Sequence, residues 1–216
     1  MMTNLRMVWL AGLVVFLAGV VQAPAFQLGS RPAKQWIERL ERPERVARLK
    51  TGEVVSRLKL EAGDTVADIG AGGGVFSRAL ARAVAPTGKV LAVEVDQGFF
   101  DYIEQRAKEE NIKNIQTVLG EFEDPKLPTR EVDLAFFHDV LHHIEHRQVY
   151  LKTLASYLNP DGRIVIIDLM EGHRDQPEMQ ITLEEVKRWM ETVGFHLAEE
   201  FDLFEDKFFA VFARDP

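Results

Sequence analysis

The 216-residue sequence contains no cysteine. This absence excludes disulfide bonds, a thiol nucleophile and metal sites built on cysteine. Excess positive charge is also missing, because the formal net charge is -8, whereas proteins that bind a phosphate backbone normally present a basic face. We therefore predict no nucleic-acid partner. Internal repeats and low-complexity tracts are missing as well, so the sequence predicts a single domain behind a short leader.

Charged residues are nearly absent from the first thirty positions, where Arg6 is the only one. Residues 7–21 form an unbroken apolar run, and residues 23–25 read Ala-Pro-Ala, small residues at the spacing that signal peptidase recognises. The run is shorter than the roughly 20 apolar residues that span a bilayer comfortably. We therefore predict a signal peptide over residues 1–25 and an exported protein, periplasmic or extracellular.

Two alternatives to a cleaved leader stay open. The apolar run could remain as an N-terminal membrane anchor, and with Arg6 on the cytoplasmic side the positive-inside rule places the domain outside. A mis-called start codon would instead leave a cytoplasmic protein.

Residues 26–59 are predicted to form a helical N-terminal cover ahead of the first strand. Its helices are predicted at residues 31–40 and 43–58. Ser30 is a candidate cap for the first helix, and Pro43 stands in a first turn, where proline is favoured.

Residues 60–216 alternate between strands and helices. After a first strand that begins near Val66, strands are predicted at residues 89–95, 115–119, 132–137, 163–168, 195–201 and 207–214. Helices are predicted at residues 75–85, 97–110, 147–158 and 182–194, with a turn at 159–162. Thr182 and Glu185 have the spacing of a capping box, and Gly194 marks a helix end.

This alternation predicts the fold class. Short strands separated by helices imply parallel pairing with right-handed crossovers, and the last two strands are close enough to form a hairpin. We predict an α/β fold, a Rossmann-like doubly wound seven-stranded sheet with a C-terminal antiparallel hairpin strand. Aromatic residues of the tail are predicted to belong to the core; they are Trp189, Phe195, Phe201, Phe204, Phe208, Phe209 and Phe212.

The sequence Val-Ala-Asp-Ile-Gly-Ala-Gly-Gly-Gly at residues 66–74 carries the strongest functional signal. An apolar strand runs into three alternating glycines, Gly70, Gly72 and Gly74, which can bend the backbone with φ above zero and let it lie against a ligand. The helix that follows points free amides at that ligand. A dinucleotide-binding fingerprint would place its third glycine at position 75, but that residue is Val75, so the spacing argues against a nicotinamide cofactor.

An acidic residue, Glu94, ends the next apolar run, and with Asp68 and the glycines it gives a pattern that resembles the class I S-adenosylmethionine-dependent methyltransferases. The resemblance implies S-adenosyl-L-methionine as cofactor and a methyltransferase domain over residues 60–216. It implies that Asp68 lies under the methionine part and that the turn, with Ala71, passes beside it. It also implies that Glu94, followed by Val95 in the same site, accepts both ribose hydroxyls, which suits the two oxygens of a carboxylate.

The loop after the third strand, Gly-Glu-Phe-Glu-Asp at residues 120–124, resembles a Gly-Asp-x-acidic segment of the same family. By that resemblance Glu121 takes the adenine amino group and Phe122 flanks the adenine ring. Glutamate stands where the family more often has aspartate, which lengthens the reach. The alternative is a solvated acidic loop, since runs of acidic residues are usually on the surface.

Histidines cluster after the fourth strand, in Phe-His-Asp-Val-Leu-His-His-Ile at residues 137–144. This segment resembles the Leu-His-His segment of the small-molecule methyltransferases typified by the ubiquinone and menaquinone biosynthesis enzymes. We predict that His138 and His143 pack against the cofactor or orient the substrate. His138 and Asp139 are also the candidates for a general base, should the acceptor lose a proton. The alternative is that both are structural and cap a helix or bind backbone.

A metal site is the other interpretation of the histidines. His138, His142 and His146 are four residues apart and could share one helix face. The family resemblance already accounts for the cluster, and ordinary metal sites add carboxylates held by further partners. We therefore predict no metal.

The sequence as a whole predicts methyl transfer from S-adenosyl-L-methionine to a small-molecule or lipid-like acceptor. Residues 170–180, with His173 and Arg174, are expected to admit the acceptor unless they form an ordinary surface loop. Two other functions stay open. One is a non-catalytic module that binds the cofactor, and the other is a nicotinamide-dependent oxidoreductase, which Val75 and the closing hairpin argue against.

Overall fold

The computed structural model describes residues 32–169 and 181–214. The predicted leader, the predicted cap at Ser30 and the predicted acceptor loop at residues 170–180 lie outside the described residues. Within the two described ranges, no helix is both long enough and apolar enough to cross a bilayer.

Seven strands of the described chain form one sheet. They are β1 (Thr65–Ile69), β2 (Lys89–Glu94), β3 (Ile115–Leu119), β4 (Val132–His138), β5 (Leu158–Leu169), β6 (His196–Glu200) and β7 (Lys207–Ala213). The order across the sheet is β3-β2-β1-β4-β5-β7-β6. Strands β1 to β5 pair in parallel, whereas β7 runs antiparallel to β5 and β6. The predicted doubly wound α/β sheet with its C-terminal hairpin is confirmed.

Helices flank the strands in the predicted alternation. They are α1 (Ala33–Leu40), α2 (Pro43–Arg48), α3 (Thr51–Arg57), α4 (Val75–Ala83), α5 (Phe100–Glu109), α6 (Arg147–Ala155) and α7 (Leu183–Thr192). Short 3-10 helices precede α5 at Gln97–Phe99 and follow β4 at Leu141–His143. The predicted capping box of Thr182 and Glu185 begins α7, and Gly194, with φ of 81°, follows its end.

Both faces of the sheet are buried. On one face α6 and α7 pack over residues such as Ala67 and Phe137, and on the other α3 and α4 pack over Val66 and Phe136. All five residues of β1 are buried, as expected for a parallel strand covered on both sides. The tail aromatics belong to the core or pack against it, as predicted.

The N-terminal cover differs from its prediction. The helix expected at residues 43–58 is broken into α2 and α3, because Lys50 adopts a left-handed conformation with φ of 47°. The Nζ atom of Lys50 donates to the carbonyl of Leu203, 2.9 Å away, and Lys59 pairs with Glu199 of β6 at 2.7 Å. The cover is therefore tied to the C-terminal hairpin.

Strand β5 begins five residues earlier than predicted, at Leu158. The turn expected at residues 159–162 lies inside this strand, where the pairing with β4 is irregular. The Nδ2 atom of Asn159 donates to Oδ1 of Asp133 at 2.6 Å. This side-chain bond holds the irregular segment against β4.

Candidate active site

The glycine turn between β1 and α4 has the predicted conformation. Gly70, Gly72 and Gly74 have φ values of 66°, 56° and 76°, a region that residues with a Cβ rarely adopt. The amides of Gly70 and Ala71 both donate to the carbonyl of Val93, at 2.9 and 3.1 Å. The end of β2 therefore fixes the turn at the carboxyl edge of the sheet, where ligands of open α/β sheets bind.

Asp68 lies beneath this turn. Its carboxylate is buried and accepts a hydrogen bond from Oγ of Ser77, 2.5 Å away. Burial raises the pKa of Asp68 to about 6, although the hydrogen bonds from Ser77 oppose the shift. Ser77 lies in the first turn of α4. The carboxylate of Asp68 therefore lies at the N-terminus of this helix, a position that favours a negative charge.

Glu94 joins the end of β2 to the glycine turn. Its Oε1 accepts from the amide of Gly72 at 2.6 Å, and its Oε2 accepts from the amide of Val95 at 3.3 Å. Burial raises the pKa of Glu94 to about 7, and the neighbouring charges of Asp68 and Asp96 add to the shift. Two carboxylates thus lie in the protein interior on either side of one turn.

Exposed apolar side chains lie next to this buried acid. Val95 directly follows Glu94 and is 39% exposed, Leu119 is paired in register with Glu94 and is 50% exposed, and Phe122 follows β3 and is 53% exposed. Apolar side chains left open at the end of two adjacent strands offer a surface for a flat ring. This placement agrees with the predicted roles of Val95 and Phe122, which stay predictions.

Glu121 is placed differently from its neighbour. Its side chain is 67% exposed and pairs with Lys126 at 3.2 Å, while its backbone pairs with Asp124 across a tight turn. This geometry favours the alternative interpretation of residues 120–124, that they form a solvated acidic loop. The adenine contact of Glu121 stays a prediction that would require the ion pair with Lys126 to open.

The N-terminal cover contacts the glycine turn directly. A Cβ built on Gly72 would lie 3.0 Å from Cδ1 of Leu40, and one on Gly73 would overlap the carboxylate of Glu41. The Oε2 atom of Glu41 pairs with Arg78 at 3.5 Å, while its Oε1 atom is buried without a hydrogen-bond partner. The end of α1 therefore lies against the turn, and its role as a cover over the cofactor stays a prediction.

The structure argues against the general-base role predicted for His138, while its predicted contact with cofactor or substrate stays a prediction. The ring packs within the core, 4.8 Å from the ring of Phe76 and 6.3 Å from that of Phe204. Its Nε2 atom is buried without a hydrogen-bond partner, and burial lowers the pKa of His138 to about 4. A buried, weakly basic ring does not suit proton removal from a bound acceptor, and a packing role explains it better.

The structure also argues against the general-base role predicted for Asp139, for a related reason. It forms ion pairs with Lys207 of β7 and, at 3.8 Å, with Arg45 of α2. Burial tends to raise the pKa of Asp139, but His138, Lys207 and Arg45 together lower it below its ordinary value. A carboxylate held in this way is a weak base. The alternative that Asp139 is structural is favoured, although it binds cations rather than capping a helix.

Sequence reasoning missed the pair formed by His142 and Asp168. The ring Nδ1 of His142 lies 2.6 Å from Oδ1 of Asp168, and the His142 amide donates to Oδ2 at 3.2 Å. Asp168 is fully buried near the end of β5. The available signal was the acid that ends the apolar run of residues 163–168, next to the strand that carries the histidines.

His143 lies beside this pair. Its ring centroid is 4.0 Å from that of His142, and its amide donates to the carbonyl of Val140 at 2.9 Å. The side chain of Val140 in turn contacts the glycine turn, since a Cβ on Gly70 would lie 2.5 Å from its Cγ2. The structure thus brings His143 to the correct edge of the sheet, and its contact with cofactor stays a prediction.

The helix face required for a three-histidine metal site does not form. His138 ends β4, His142 lies in a 3-10 helix, and His146 precedes α6. Across residues 32–169 and 181–214, no group of three or more acidic or histidine side chains is arranged to hold a metal ion.

Comparison with known proteins identifies a family for this chain. A family model described as a methyltransferase domain matches residues 60–207. The chain is 27% identical over 113 residues to a demethylmenaquinone methyltransferase of Lactobacillus johnsonii, covering 52% of this chain and 46% of the relative. It is 28% identical over 151 residues to a mitochondrial ubiquinone biosynthesis O-methyltransferase of Schizosaccharomyces pombe, covering 69% of this chain and 53% of the relative. The chain thus spans about half the length of these curated relatives.

Among solved structures, a SAM-dependent methyltransferase from Aquifex aeolicus is similar, with a TM-score of 0.75 and 25% identity. The match covers 84% of this chain and 97% of that one. The family model matches more than half of this chain. The chain therefore belongs to the class I S-adenosylmethionine-dependent methyltransferases.

Proposed function

We propose that this protein transfers a methyl group from S-adenosyl-L-methionine to a small-molecule or lipid-like acceptor. The observation that carries the proposal is the junction of Glu94 with the glycine turn, where a buried carboxylate binds the Gly72 amide at 2.6 Å. Glu94 and Val95 would hold the ribose and adenine side, and Asp68 would lie on the methionine side. When bound, the cofactor supplies an electrophilic methyl group on a positively charged sulfur.

The charge of the site supports this cofactor over a dinucleotide. Asp68 and Glu94 are buried, and the pKa of each is raised, to about 6 and about 7. A cation nearby favours the ionised form of such carboxylates, whereas a pyrophosphate would disfavour it further. S-adenosyl-L-methionine carries a sulfonium and an ammonium group beside its carboxylate, so its methionine part would relieve the cost of burying Asp68.

The acceptor is proposed from the names of the relatives. One of them is named for demethylmenaquinone and another for ubiquinone biosynthesis, and both names refer to quinones. We propose an aromatic, lipid-like acceptor of that kind. For the protein itself, this leaves alignment of the acceptor and exclusion of water as the principal tasks, because positioning alone supplies much of the rate of a group transfer.

The first test combines binding with turnover. Titration calorimetry with S-adenosylhomocysteine is expected to show one site, and tritiated methyl groups are expected to pass from S-adenosyl-L-methionine into catechol, 1,4-dihydroxynaphthalene or a membrane lipid extract. Binding without transfer to any acceptor would favour the non-catalytic module. Binding of NADH but not of S-adenosylhomocysteine would favour the oxidoreductase.

We also propose that the protein works at an anionic membrane surface. Residues 31–59 carry nine Lys or Arg against four Glu, whereas residues 60–216 carry sixteen against thirty Asp or Glu. Exposed basic side chains of the cover include Lys34, Arg39 and Arg42, and basic segments near an apolar stretch bind anionic lipid surfaces. The apolar run at residues 7–21 precedes this cover, in agreement with the predicted anchor or export signal.

Vesicle sedimentation tests this location. The full chain is expected to bind phosphatidylglycerol-containing vesicles more strongly than phosphatidylcholine vesicles, and the difference should shrink at high salt because exposed charges are screened. Changing Lys34, Arg39 and Arg42 to Glu should remove most of the difference, while the control Lys113→Glu, outside the cover, should not. Equal binding of both variants to anionic vesicles would contradict the proposal.

A further inference from the structure

We propose that Arg45 and Lys207 bind an anionic group of the methyl acceptor, and that the acceptor is therefore an aromatic acid with an ionised carboxylate rather than a neutral ring. This inference rests on the proposed function and names its acceptor class more narrowly. It assigns a ligand to the cation cluster, which we define as Arg45, Lys207 and the carboxylate of Asp139 that pairs with both.

The cation cluster contains more positive than negative charge. Asp139 forms ion pairs with Lys207 and, at 3.8 Å, with Arg45, so one carboxylate serves two cations. The ring of His138 lies 3.4 Å from Asp139, and burial keeps this ring neutral by lowering its pKa to about 4. His138 therefore does not change the balance, and an excess of positive charge is left.

Other charges around Arg45 do not remove this excess. The charge of Glu41 attracts Arg45, whereas the charges of two other arginines of the cover, Arg39 and Arg48, repel it. Glu41 is also shared, because it pairs with Arg78 at 3.5 Å. The cover therefore offers Arg45 no carboxylate of its own.

Burial makes the excess charge costly. The side chain of Arg45 is 27% exposed and that of Lys207 is 13% exposed, while the acids just before Lys207, Glu205 and Asp206, are exposed to solvent. Burial lowers the pKa of Arg45 below its ordinary value, although Asp139 opposes the shift. Since charges withdrawn from water need a partner, an anion that docks on the cluster would remove a cost.

Both cations have donors to offer such an anion. Nη1 of Arg45 donates to the carbonyl of Leu40 at 3.1 Å, whereas Nη2 lies too far from Asp139, at 3.8 Å, for a hydrogen bond. The ammonium of Lys207 has three donors, and Asp139 accepts from one of them. A guanidinium can bind a carboxylate through two parallel hydrogen bonds, so a carboxylate suits the cluster.

The cation cluster lies at the edge of the sheet where ligands bind. Asp139 directly follows β4, and its amide donates to the carbonyl of Ile167 in β5 at 2.9 Å. Lys207 begins β7 in register with Leu169, the last residue of β5. These are the carboxyl ends of β4 and β5, and ligands of open α/β sheets bind beyond such ends.

The backbone of Asp139 points to the same place. Its φ is 57°, a left-handed conformation that is uncommon for residues other than glycine. Such conformations concentrate at active sites and ligand clamps. The chain thus adopts an unfavourable conformation at the residue that gathers the two cations.

The cluster borders the glycine turn on the side away from Glu94. Leu40, whose carbonyl binds Arg45, contacts Gly72 of the turn. The turn follows β1, and Glu94 ends β2, whereas Lys207 belongs to β7, three strands from β1. Three strands span about 14 Å at about 4.8 Å each, so we assign the cluster to the acceptor rather than to the carboxylate of the cofactor.

Two compounds of matched shape test the assignment. At pH 7, 3,4-dihydroxybenzoate is an anion, because carboxyl groups ionise near pH 4, whereas 3,4-dihydroxybenzamide is neutral. Calorimetry on the full chain saturated with S-adenosylhomocysteine is expected to show about 10- to 150-fold tighter binding of the benzoate, the usual effect of a hydrogen bond to a charged group. Methyl transfer should show the same preference in KM, with similar kcat values.

Variants separate recognition of charge from a structural role. Arg45→Gln and Lys207→Gln should each weaken benzoate binding at least about tenfold and leave benzamide binding unchanged. Asp139→Asn should increase the preference for the benzoate, because the cluster then lacks its own carboxylate. Lys113→Gln, which removes an exposed cation far from the cluster, should change neither compound.

Binding of S-adenosylhomocysteine checks that the variants fold. Arg45→Gln and Lys207→Gln should bind it as tightly as the unchanged protein does. Loss of this binding would show that the cations serve the cofactor or the cover, and it would overturn the assignment to the acceptor.

The outcomes are distinguishable from failure of the proposed function. Equal binding of benzoate and benzamide, or binding of neither, would overturn this inference. Methyl transfer to neutral acceptors alone would also overturn it and leave the proposed function standing. If no acceptor of any kind is methylated, the proposed function fails, and this inference fails with it.

Discussion

Replacing Glu94 with Gln is expected to stabilise the ligand-free protein at pH 8 while it weakens cofactor binding. Burial raises the pKa of Glu94 from an ordinary 4.5 to about 7. A carboxyl whose pKa is higher in the folded state costs nothing below pH 4.5, and its destabilising effect is complete above about pH 7. The difference in pKa corresponds to at most about 3.5 kcal/mol of unfolding free energy, since each unit is worth about 1.4 kcal/mol.

The loss of binding follows from the same carboxylate. Hydrogen bonds to a charged group contribute about 1.5–3 kcal/mol each, so losing one of the two proposed ribose contacts should weaken S-adenosylhomocysteine about 10- to 150-fold. The unchanged protein should also bind more weakly as the pH falls below about 7, because the group that accepts the hydroxyls becomes protonated. Calorimetry at pH 6 and pH 8 measures both effects.

Thermal unfolding at pH 5 and pH 8 measures the stability effect. Glu94→Gln should melt above the unchanged protein at pH 8 and close to it at pH 5. Glu131→Gln removes the charge of an exposed glutamate and should change neither melting nor binding. If Glu94→Gln raised the melting temperature equally at both pH values, Glu94 would not have a raised pKa in the folded protein.

Gly70→Ala is expected to destabilise the fold by about 3 kcal/mol and to weaken cofactor binding at least about tenfold. The left-handed backbone, with φ of 66°, costs a residue with a Cβ about 1–2 kcal/mol. The new Cβ would also lie 2.5 and 2.8 Å from the two Cγ atoms of Val140, and such overpacking costs about 1–3 kcal/mol. If the turn moved away from Val140 to relieve this clash, it would no longer lie correctly against the cofactor, and binding would weaken.

Another glycine provides a matched control for the cost of the left-handed backbone alone. Gly194 has φ of 81°, but a Cβ there would have no atom within 4 Å. Denaturant unfolding should show a smaller loss for Gly194→Ala than for Gly70→Ala, and Val140→Ala should recover part of the loss at position 70. Equal costs for Gly70→Ala and Gly194→Ala would mean that Val140 does not press on the turn.

The sequence could predict what depends on local pattern. Alternating strands and helices gave the fold, and the three glycines, Asp68 and Glu94 lie within 27 residues of one another, so their geometry follows from one strand–turn–helix unit and the next strand. The capping box of α7 is local in the same way. These features agree with the structure.

The predictions that failed depend on distant partners. The strand period places His138 on the same face as Phe136, towards the core beneath α4, whereas its position at the end of a strand predicted a place at the edge of the site. Recognising His142 required knowing that β5 lies next to β4 and delivers Asp168 from 26 residues away. The break at Lys50 depends on Leu203, which lies 153 residues further along the chain.

The ties between cover and hairpin impose an order on the chain as it is made. Residues 32–59 emerge first, yet their partners, Asp139, Glu199 and Leu203, emerge much later. Since domains form as their contacts become available, Lys50 and Lys59 cannot form their bonds to Leu203 and Glu199 until the last strands exist. It follows that the cover reaches its final position only after the C-terminal hairpin has been made.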